Sequence, residues 1–436
     1  MVQAASCPGQ EIPFYPNLPY LGIHAGPANN DLVPCQTADS YRLAWQALPG
    51  HRIGQPNTLS ADGKVTYVTT QPPRGDTSNT LFAIDVASGR VIWSHAYPSA
   101  VTSSVEVDRT GKLYLTAGAF VVSLEASGQE RWRTGIDSPG FGLHFTPQGE
   151  IASVSNSGTV YLLAMETGEV LQKISLSEIY GFVPGQAGVG GGFTGVSGNF
   201  SDNTLGIAPN GDIYVIGGGP DPDHGALIQL RRGPNGLEAG WYAVTQGGSA
   251  TSPAISPEGR YVVVGDGSGT KTGRLLWADT EKCPESGRCQ WAQAIELSGA
   301  PILGSPAVLP GGEVIFWELG ADKTRDLARV SPQGHFIWET DLGGNLDWTS
   351  VVTVSQNHVI GTASELSYGL LGIPRPGPDF LVLLERESGK FLAKFPLSDD
   401  SFATVSVGPN GDLYVGMLGV LSLNQRQAGL AKFVPN

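Results

Sequence analysis

The chain repeats one phrase along most of its length: a Gly-tipped hairpin, then an apolar strand, then a short turn leading to Trp. The clearest hairpins are Ala61-Asp62-Gly63-Lys64-Val65, Arg109-Thr110-Gly111-Lys112-Leu113-Tyr114, Pro209-Asn210-Gly211-Asp212-Ile213-Tyr214 and Pro409-Asn410-Gly411-Asp412-Leu413-Tyr414. Weaker copies centre on Gly149, Gly259 and Gly312, and a degenerate one on Asn357-His358. About eight units at a period of roughly 40–50 residues is the spacing of propeller blades, which predicts one closed array and excludes a string of unlike domains. Gly or Asn at each tip supplies the positive φ that a tight hairpin between twisted strands requires.

The second half of each unit is best seen in Ala83-Ile84-Asp85-Val86-Ala87-Ser88-Gly89-Arg90-Val91-Ile92-Trp93, where the chain turns at Ser88-Gly89 and enters an outer strand. Trp45, Trp132, Trp241, Trp291 and Trp338 take the place of Trp93 elsewhere, while Gln172 and Ala393 replace the indole in two units. An indole there wedges between neighbouring blades, burying a large apolar area while its N–H reaches a backbone carbonyl. These tryptophans are expected to be structural.

The ends show how the ring closes. The C-terminal Gly429-Leu430-Ala431-Lys432-Phe433-Val434-Pro435-Asn436 matches Asp326-Leu327-Ala328-Arg329-Val330-Ser331-Pro332-Gln333, a third strand and the start of its turn, and then the chain stops. The missing fourth strand is Tyr41-Arg42-Leu43-Ala44-Trp45, which aligns with Gly334-His335-Phe336-Ile337-Trp338. The sequence therefore predicts an all-β, eight-bladed propeller of four-stranded antiparallel blades, the last completed by an N-terminal strand that removes both open sheet edges. Residues 1–40 form an N-terminal extension and 41–436 one propeller domain.

The Ala-x-Asp-x-x-x-Gly-x-x-x-Trp spacing of residues 83–93 resembles the tryptophan-docking motif of the quinoprotein-like eight-bladed propellers, over a stretch from about Tyr41 to the C-terminus. That family contains dehydrogenases using pyrroloquinoline quinone (PQQ) and also non-enzymatic propellers such as the lipoprotein of outer-membrane assembly, so the resemblance implies a fold more than a function. Family dehydrogenases commonly carry an adjacent cysteine pair against the cofactor, which this chain lacks. PQQ or calcium is thus compatible with the resemblance and unsupported by motif. Nor is there a Cys-x-x-Cys-His haem site, a Gly-x-Ser-x-Gly, a His-Glu-x-x-His or a phosphate-binding Gly-x-x-x-x-Gly-Lys.

With 60 Gly and 31 Pro in 436 residues and only 15% charged side chains, the composition suits short strands joined by tight turns. No run of about 18 apolar residues is present to span a membrane. A formal charge of −14 argues against nucleic acid and anionic lipid, which need clustered Lys and Arg. Of the three ways to pair four cysteines, proximity favours Cys7 with Cys35 and Cys283 with Cys289, which implies an oxidising compartment. Neither the spacing nor a nearby His supports zinc, and no metal site is expected. The start, Val2-Gln3-Ala4-Ala5-Ser6-Cys7, resembles the tail of a signal peptide, giving a periplasmic or secreted protein; acylation of Cys7 is the alternative and would leave Cys35 unpaired.

Loops joining an outer strand to the next inner strand share one face, here called the top, with the loops between second and third strands. Both disulfides, the extension and the C-terminus fall toward the opposite face. Ligands usually occupy the loop-rich face. Three top segments are apolar: Ile179-Tyr180-Gly181-Phe182-Val183 through Gly190-Gly191-Gly192-Phe193, Tyr368-Gly369-Leu370-Leu371-Gly372-Ile373-Pro374, and Met417-Leu418-Gly419-Val420-Leu421. They either plug the channel mouth or form a lid over an apolar pocket. Gly188-Val189-Gly190-Gly191-Gly192 lacks the third Gly and the βαβ context of a dinucleotide fingerprint. The candidate pocket residues are His51, Arg52, His95, Asp137, Asp347, Trp348, Tyr368, Asp399 and Asp400. Paired acids there suit Ca²⁺ or acid–base work, though each taken alone is an ordinary surface-loop residue. Asp221-Pro222-Asp223-His224 lacks the rest of a Ca²⁺ loop.

Two functions follow. The first is a secreted or periplasmic, monomeric binding propeller that holds a protein partner or a hydrophobic small molecule. The second is an enzyme with a loop-built top-face site acting on a hydrophobic small molecule: an atypical quinoprotein oxidoreductase, a lyase, a hydrolase or a cyclase. The absence of a linear catalytic signature favours the first.

Overall fold

A computed structural model describes residues 6–71, 79–99, 101, 103–185, 199–201, 203–267, 272–297, 304–318, 325–368, 374–419 and 427–436. Eight antiparallel sheets form the predicted ring. Blade 1 runs from Thr58–Leu59 to Val91–Tyr97, blade 2 from Glu106–Val107 to Glu130–Gly135, blade 3 from Gly140–Phe145 to Val170–Ser175, and blade 4 from Gly206–Ile207 to Gly236–Val244. Blade 5 spans Ala254–Ile255 to Gln293–Glu296, blade 6 Ala307–Val308 to Phe336–Thr340, and blade 7 Leu346–Trp348 to Phe391–Leu397. Blade 8 spans Ser406–Val407 to Gly429–Pro435, and its outer strand is Tyr41–Ala47, registered antiparallel from Tyr41 opposite Pro435 to Ala47 opposite Leu430. The ends of the chain therefore close the ring as the sequence predicts.

Burial follows strand position. The second strand of blade 2, Leu113–Thr116, is buried at every residue because both of its faces meet neighbouring blades, whereas the outer strand Val91–Tyr97 alternates between exposed and half-buried. Among the described residues no helix is long and apolar enough to cross a membrane.

Blade docking has one geometry with two chemistries. The indoles of Trp45, Trp93, Trp132 and Trp338 donate to the carbonyls of Val86, Ala126, Met165 and Arg386 in the outer turn of the following blade. Each ring lies flat over that turn's glycine; at Gly389, where φ is 69°, a Cβ would stand 2.5 Å from Trp338 Cε3. Gln172 does the same task with its amide, accepting from the Leu237 N–H at 2.8 Å and donating to the Leu237 carbonyl at 2.9 Å. Two tryptophans depart from the expected role. Trp291 precedes its outer strand and turns back to donate to Val244 of blade 4, and Gln293 occupies the position over Gly334. Trp241 is 2% exposed because Gly287–Arg288, inside the Cys283–Cys289 loop, adds a parallel fifth strand to the outer edge of blade 4.

The extension closes the lower end of the ring. Cys7 and Cys35 are joined, and the segment between them passes under successive inner strands. Its carbonyls at Phe14, Pro27, Ala28, Asn30, Asp31 and Cys35 accept from the N–H groups of Arg109, Ile207, Ile255, Val308, Val354 and Gln356. Tyr15, Leu18, Tyr20, Leu21, Ile23 and Val33 are each at most 5% exposed, so the extension is as much core as cover.

Candidate functional site

The nine predicted pocket residues do not form one constellation among the described residues. His51 meets the Phe82 ring edge-on at 4.9 Å, and His95 lies against Tyr97 at 4.7 Å. Burial alone would raise the Asp137 carboxyl, but hydrogen bonds, led by Thr159 Oγ1 at 2.5 Å, bring it below the usual range. Trp348 is fully buried and donates to the Ser350 carbonyl, so it is core, while Asp347 beside it is half-buried. The Tyr368 side chain lies outside the described residues, as do residues 2–5, 188–193, 369–373 and 420–421 of the segments singled out above.

One group does converge. Arg52 Nε donates to the Leu418 carbonyl at 3.1 Å, and the Leu418 N–H donates to the Asp400 carbonyl at 2.8 Å. Asp399 and Asp400 are 2% and 1% exposed, and the Asp379 carboxyl, in their field, is pushed up to about 6, mainly by burial. Of the apolar top segments, Ile179 to Val183 begins in the last turn of a short helix, Leu176–Tyr180, whose N-cap is Ser175. Tyr180 and Phe182 stack at 5.4 Å, and Phe182 meets Tyr242 at 4.9 Å, so this stretch folds outward against blade 4 and not across the channel mouth.

A set of buried polar and ionisable groups lies where the extension meets the inner strands. Tyr15, Tyr20, His24, Asn29 and Asp31 come from the extension, Glu106 and His144 from blades 2 and 3, and all are at most 6% exposed. Asn29 Nδ2 donates to the carbonyls of Leu205 and Pro253, which leaves Oδ1 to accept from His144 Nε2 at 3.1 Å. Burial, with His24 nearby, pushes the His144 imidazole down to about 3, so the ring is neutral and Nδ1 is an acceptor. Tyr15 Oη is 3.3 Å from that nitrogen and accepts from the Phe145 N–H. Glu106 Oε1 stands 3.4 Å from the same Nδ1, an arrangement that suits a protonated carboxyl and opposes a carboxylate. Burial holds Glu106 well above the usual carboxylate range, in agreement.

This has a measurable consequence. Above about pH 4.5 the unfolded chain loses the Glu106 proton while the folded chain keeps it, so wild-type stability falls as pH rises toward the folded pKa, by up to about 1.4 kcal/mol per unit. Glu106→Gln keeps the shape and removes the slope. Denaturant titrations at pH 4.5 and 7.5 should show the variant gaining on wild type at the higher pH; parallel profiles would place an ionised Glu106 in the native ring. His144 has the opposite sign, contributing stability above pH 6.5 that is lost toward pH 3.

Beside it, His24 Nδ1 meets Asp31 Oδ2 at 2.9 Å and His24 Nε2 lies 3.3 Å from Ser305 Oγ. The order is that of a nucleophile, base and acid, yet Ser305 Oγ also accepts the Ser252 N–H at 2.8 Å and all three side chains are buried. It serves as a hydrogen-bond chain tying the extension to blades 5 and 6. Nothing periodic in residues 14–31 announces this cluster; the one local signal is Glu106 and His144, charged or polar types at positions within inner strands.

The described residues supply no donor set for a quinone–metal centre. Both disulfides engage all four cysteines, leaving no adjacent pair to lie against a quinone, and among the described residues no three His, Cys, Asp or Glu side chains are arranged to hold a metal.

No family model and no curated protein matches the chain. Solved structures do. BamB from Moraxella catarrhalis is similar at 12% identity with a TM-score of 0.56, over 91% of this chain and 100% of that one. The quinohemoprotein alcohol dehydrogenase from Comamonas testosteroni is similar at 14% identity with a TM-score of 0.64, over 95% and 80%. A europium-containing methanol dehydrogenase is similar at 13% identity with a TM-score of 0.57, over 95% and 98%. At such identities the likeness is one of architecture, and by fold this chain is an eight-bladed β-propeller like those structures.

Proposed function

We propose that the chain is an extracytoplasmic, monomeric binding propeller that holds a protein partner or a hydrophobic small molecule on its top face without carrying out chemistry on it. The observation that carries this reading is the filled lower end of the axis: six backbone hydrogen bonds and a buried polar cluster commit that end to structure and favour exchange at the opposite face. The two disulfides support an oxidising compartment.

Native mass spectrometry of the protein isolated from its own source tests this. A retained polypeptide or small molecule is expected, lost in Asp347→Ala with the thermal midpoint unchanged. A bare chain from wild type, or retention that survives Asp347→Ala and other top-face substitutions, would overturn it.

A further inference from the structure

A recess lies off the axis on the lower face, between the extension and the turns of blades 5, 6 and 7. It has a volume of about 390 Å³. Its walls are apolar, built from Ile12, Leu32 and Pro34 of the extension and from Pro257, Pro310 and Val354 of the blades. Three of those six are prolines, which have no N–H to offer a ligand. Gln10, Asn30 and Ser355 also line the recess, and its two charges are of opposite sign: Glu11 on the extension and Arg386 on blade 7.

Arg386 is incompletely neutralised. Its nearest carboxylate, Glu387, is 3.7 Å away, and Nη1 reaches the carbonyls of Ser355 and Gln356 only at 3.4 and 3.5 Å. Nε is buried with no hydrogen-bond partner. Glu387 itself is bound at 2.8 Å by Arg329, which also holds Glu313, so the local carboxylates serve the neighbouring guanidinium first. Burial lowers the Arg386 pKa, as expected of a cation short of counter-charge. Glu11, on the extension's side of the recess, is exposed and forms no ion pair among the described residues. The wall between them is already ordered: Val33 N–H donates to the Val354 carbonyl at 2.9 Å, and Gln10 Nε2 bridges the carbonyls of Pro19 and Ala25. A preordered wall lowers the entropy lost on binding.

We propose that this recess is a binding site for an apolar zwitterion of about dipeptide size, with the carboxylate on Arg386, the ammonium on Glu11 and the apolar side chains against the proline-lined walls. The site is separate from the top-face one, and each can fail without the other. Small-ligand sites of this kind are concave and mostly apolar, with a few placed polar groups that fix orientation.

The test is calorimetric titration of the full chain with Leu-Leu at low salt, alongside its N-acetyl and C-amide forms. Saturable binding of Leu-Leu is expected, with each cap weakening it at least tenfold. Arg386→Gln should weaken Leu-Leu at least tenfold and leave the C-amide no worse than in wild type. Glu11→Gln should do the same for the N-acetyl form. The cap comparison needs no variant, and Leu32→Trp, which fills the recess, should abolish binding if either charge variant folds poorly. No saturable binding of Leu-Leu at millimolar concentration, or caps whose effects do not depend on their matching residue, would overturn the assignment.

Discussion

A chain lacking residues 1–38 will fail to give a cooperatively melting ring. Six N–H groups lose their acceptors in that variant, four in inner strands at Ile207, Ile255, Val308 and Val354 and two in the turns after them at Arg109 and Gln356. Water can recover part of that loss. The apolar side chains have no such recourse: Tyr15, Leu18, Tyr20, Leu21, Ile23 and Val33 are each at most 5% exposed, and burying a large apolar side chain contributes roughly 1.5–3 kcal/mol. Their sum is comparable with the roughly 5–15 kcal/mol that holds a typical domain together. Glu106 and His144 would also be left facing a void without Tyr15 and Asn29. Near-ultraviolet circular dichroism during heating reads the outcome. A truncated chain melting within a few degrees of wild type would show that the extension covers the ring without supporting it.

Trp338→Ala should be the most damaging of the docking substitutions, at roughly 3–5 kcal/mol. The indole is 8% exposed, donates to the Arg386 carbonyl at 3.0 Å and covers Gly389, whose carbonyl accepts from Thr340 Oγ1 at 2.7 Å. Removing it opens a cavity between blades 6 and 7 and leaves the Arg386 carbonyl with only Arg329 Nη1, at 3.4 Å. Trp338→Phe keeps most of the apolar contact and loses the donor, so it should cost about 1 kcal/mol. Urea unfolding of the pair separates the two contributions. Equal losses would assign the effect to the hydrogen bond, and a stable Trp338→Ala would remove the indole from the docking role.

Much of the architecture was legible because each blade restates it. Glycines at 63, 111, 149, 211, 259, 312 and 411 all have positive φ, so turn chemistry read from single residues located every hairpin they mark. Ring closure was legible because Gly429–Pro435 resembles a third strand that has no fourth after it. Docking by Trp291 was misplaced for a physical reason. The enlarged Cys283–Cys289 loop shifts where the outer strand begins, and Gln293 two residues on takes the position over Gly334.

The axial cluster was illegible from sequence for a different reason. Tyr15, Tyr20, His24, Asn29 and Asp31 lie in irregular backbone, and Phe14, His24, Ala25, Asn29 and Asp31 all adopt positive φ without being glycine. No period of two or 3.6 can describe such a segment. Its partners, Glu106 and His144, are more than 70 residues away along the chain and are brought to it only by ring closure. Loop position alone points to the top-face residues, and it does not distinguish a buried Trp348 or Asp400 from one that faces a ligand.

The pairing of Tyr41 with Pro435 also sets a timetable. At ribosomal rates of about 5–20 residues per second, a 436-residue chain needs roughly 20–90 s before its last strand exists. Throughout that interval the strand Tyr41–Ala47 has been made and lacks its partner, while the extension meets its donors one blade at a time. Such a long-range pairing is slow on topological grounds as well. Escort of the nascent chain, rather than the strength of the finished ring, therefore becomes the step that decides how much protein survives to fold.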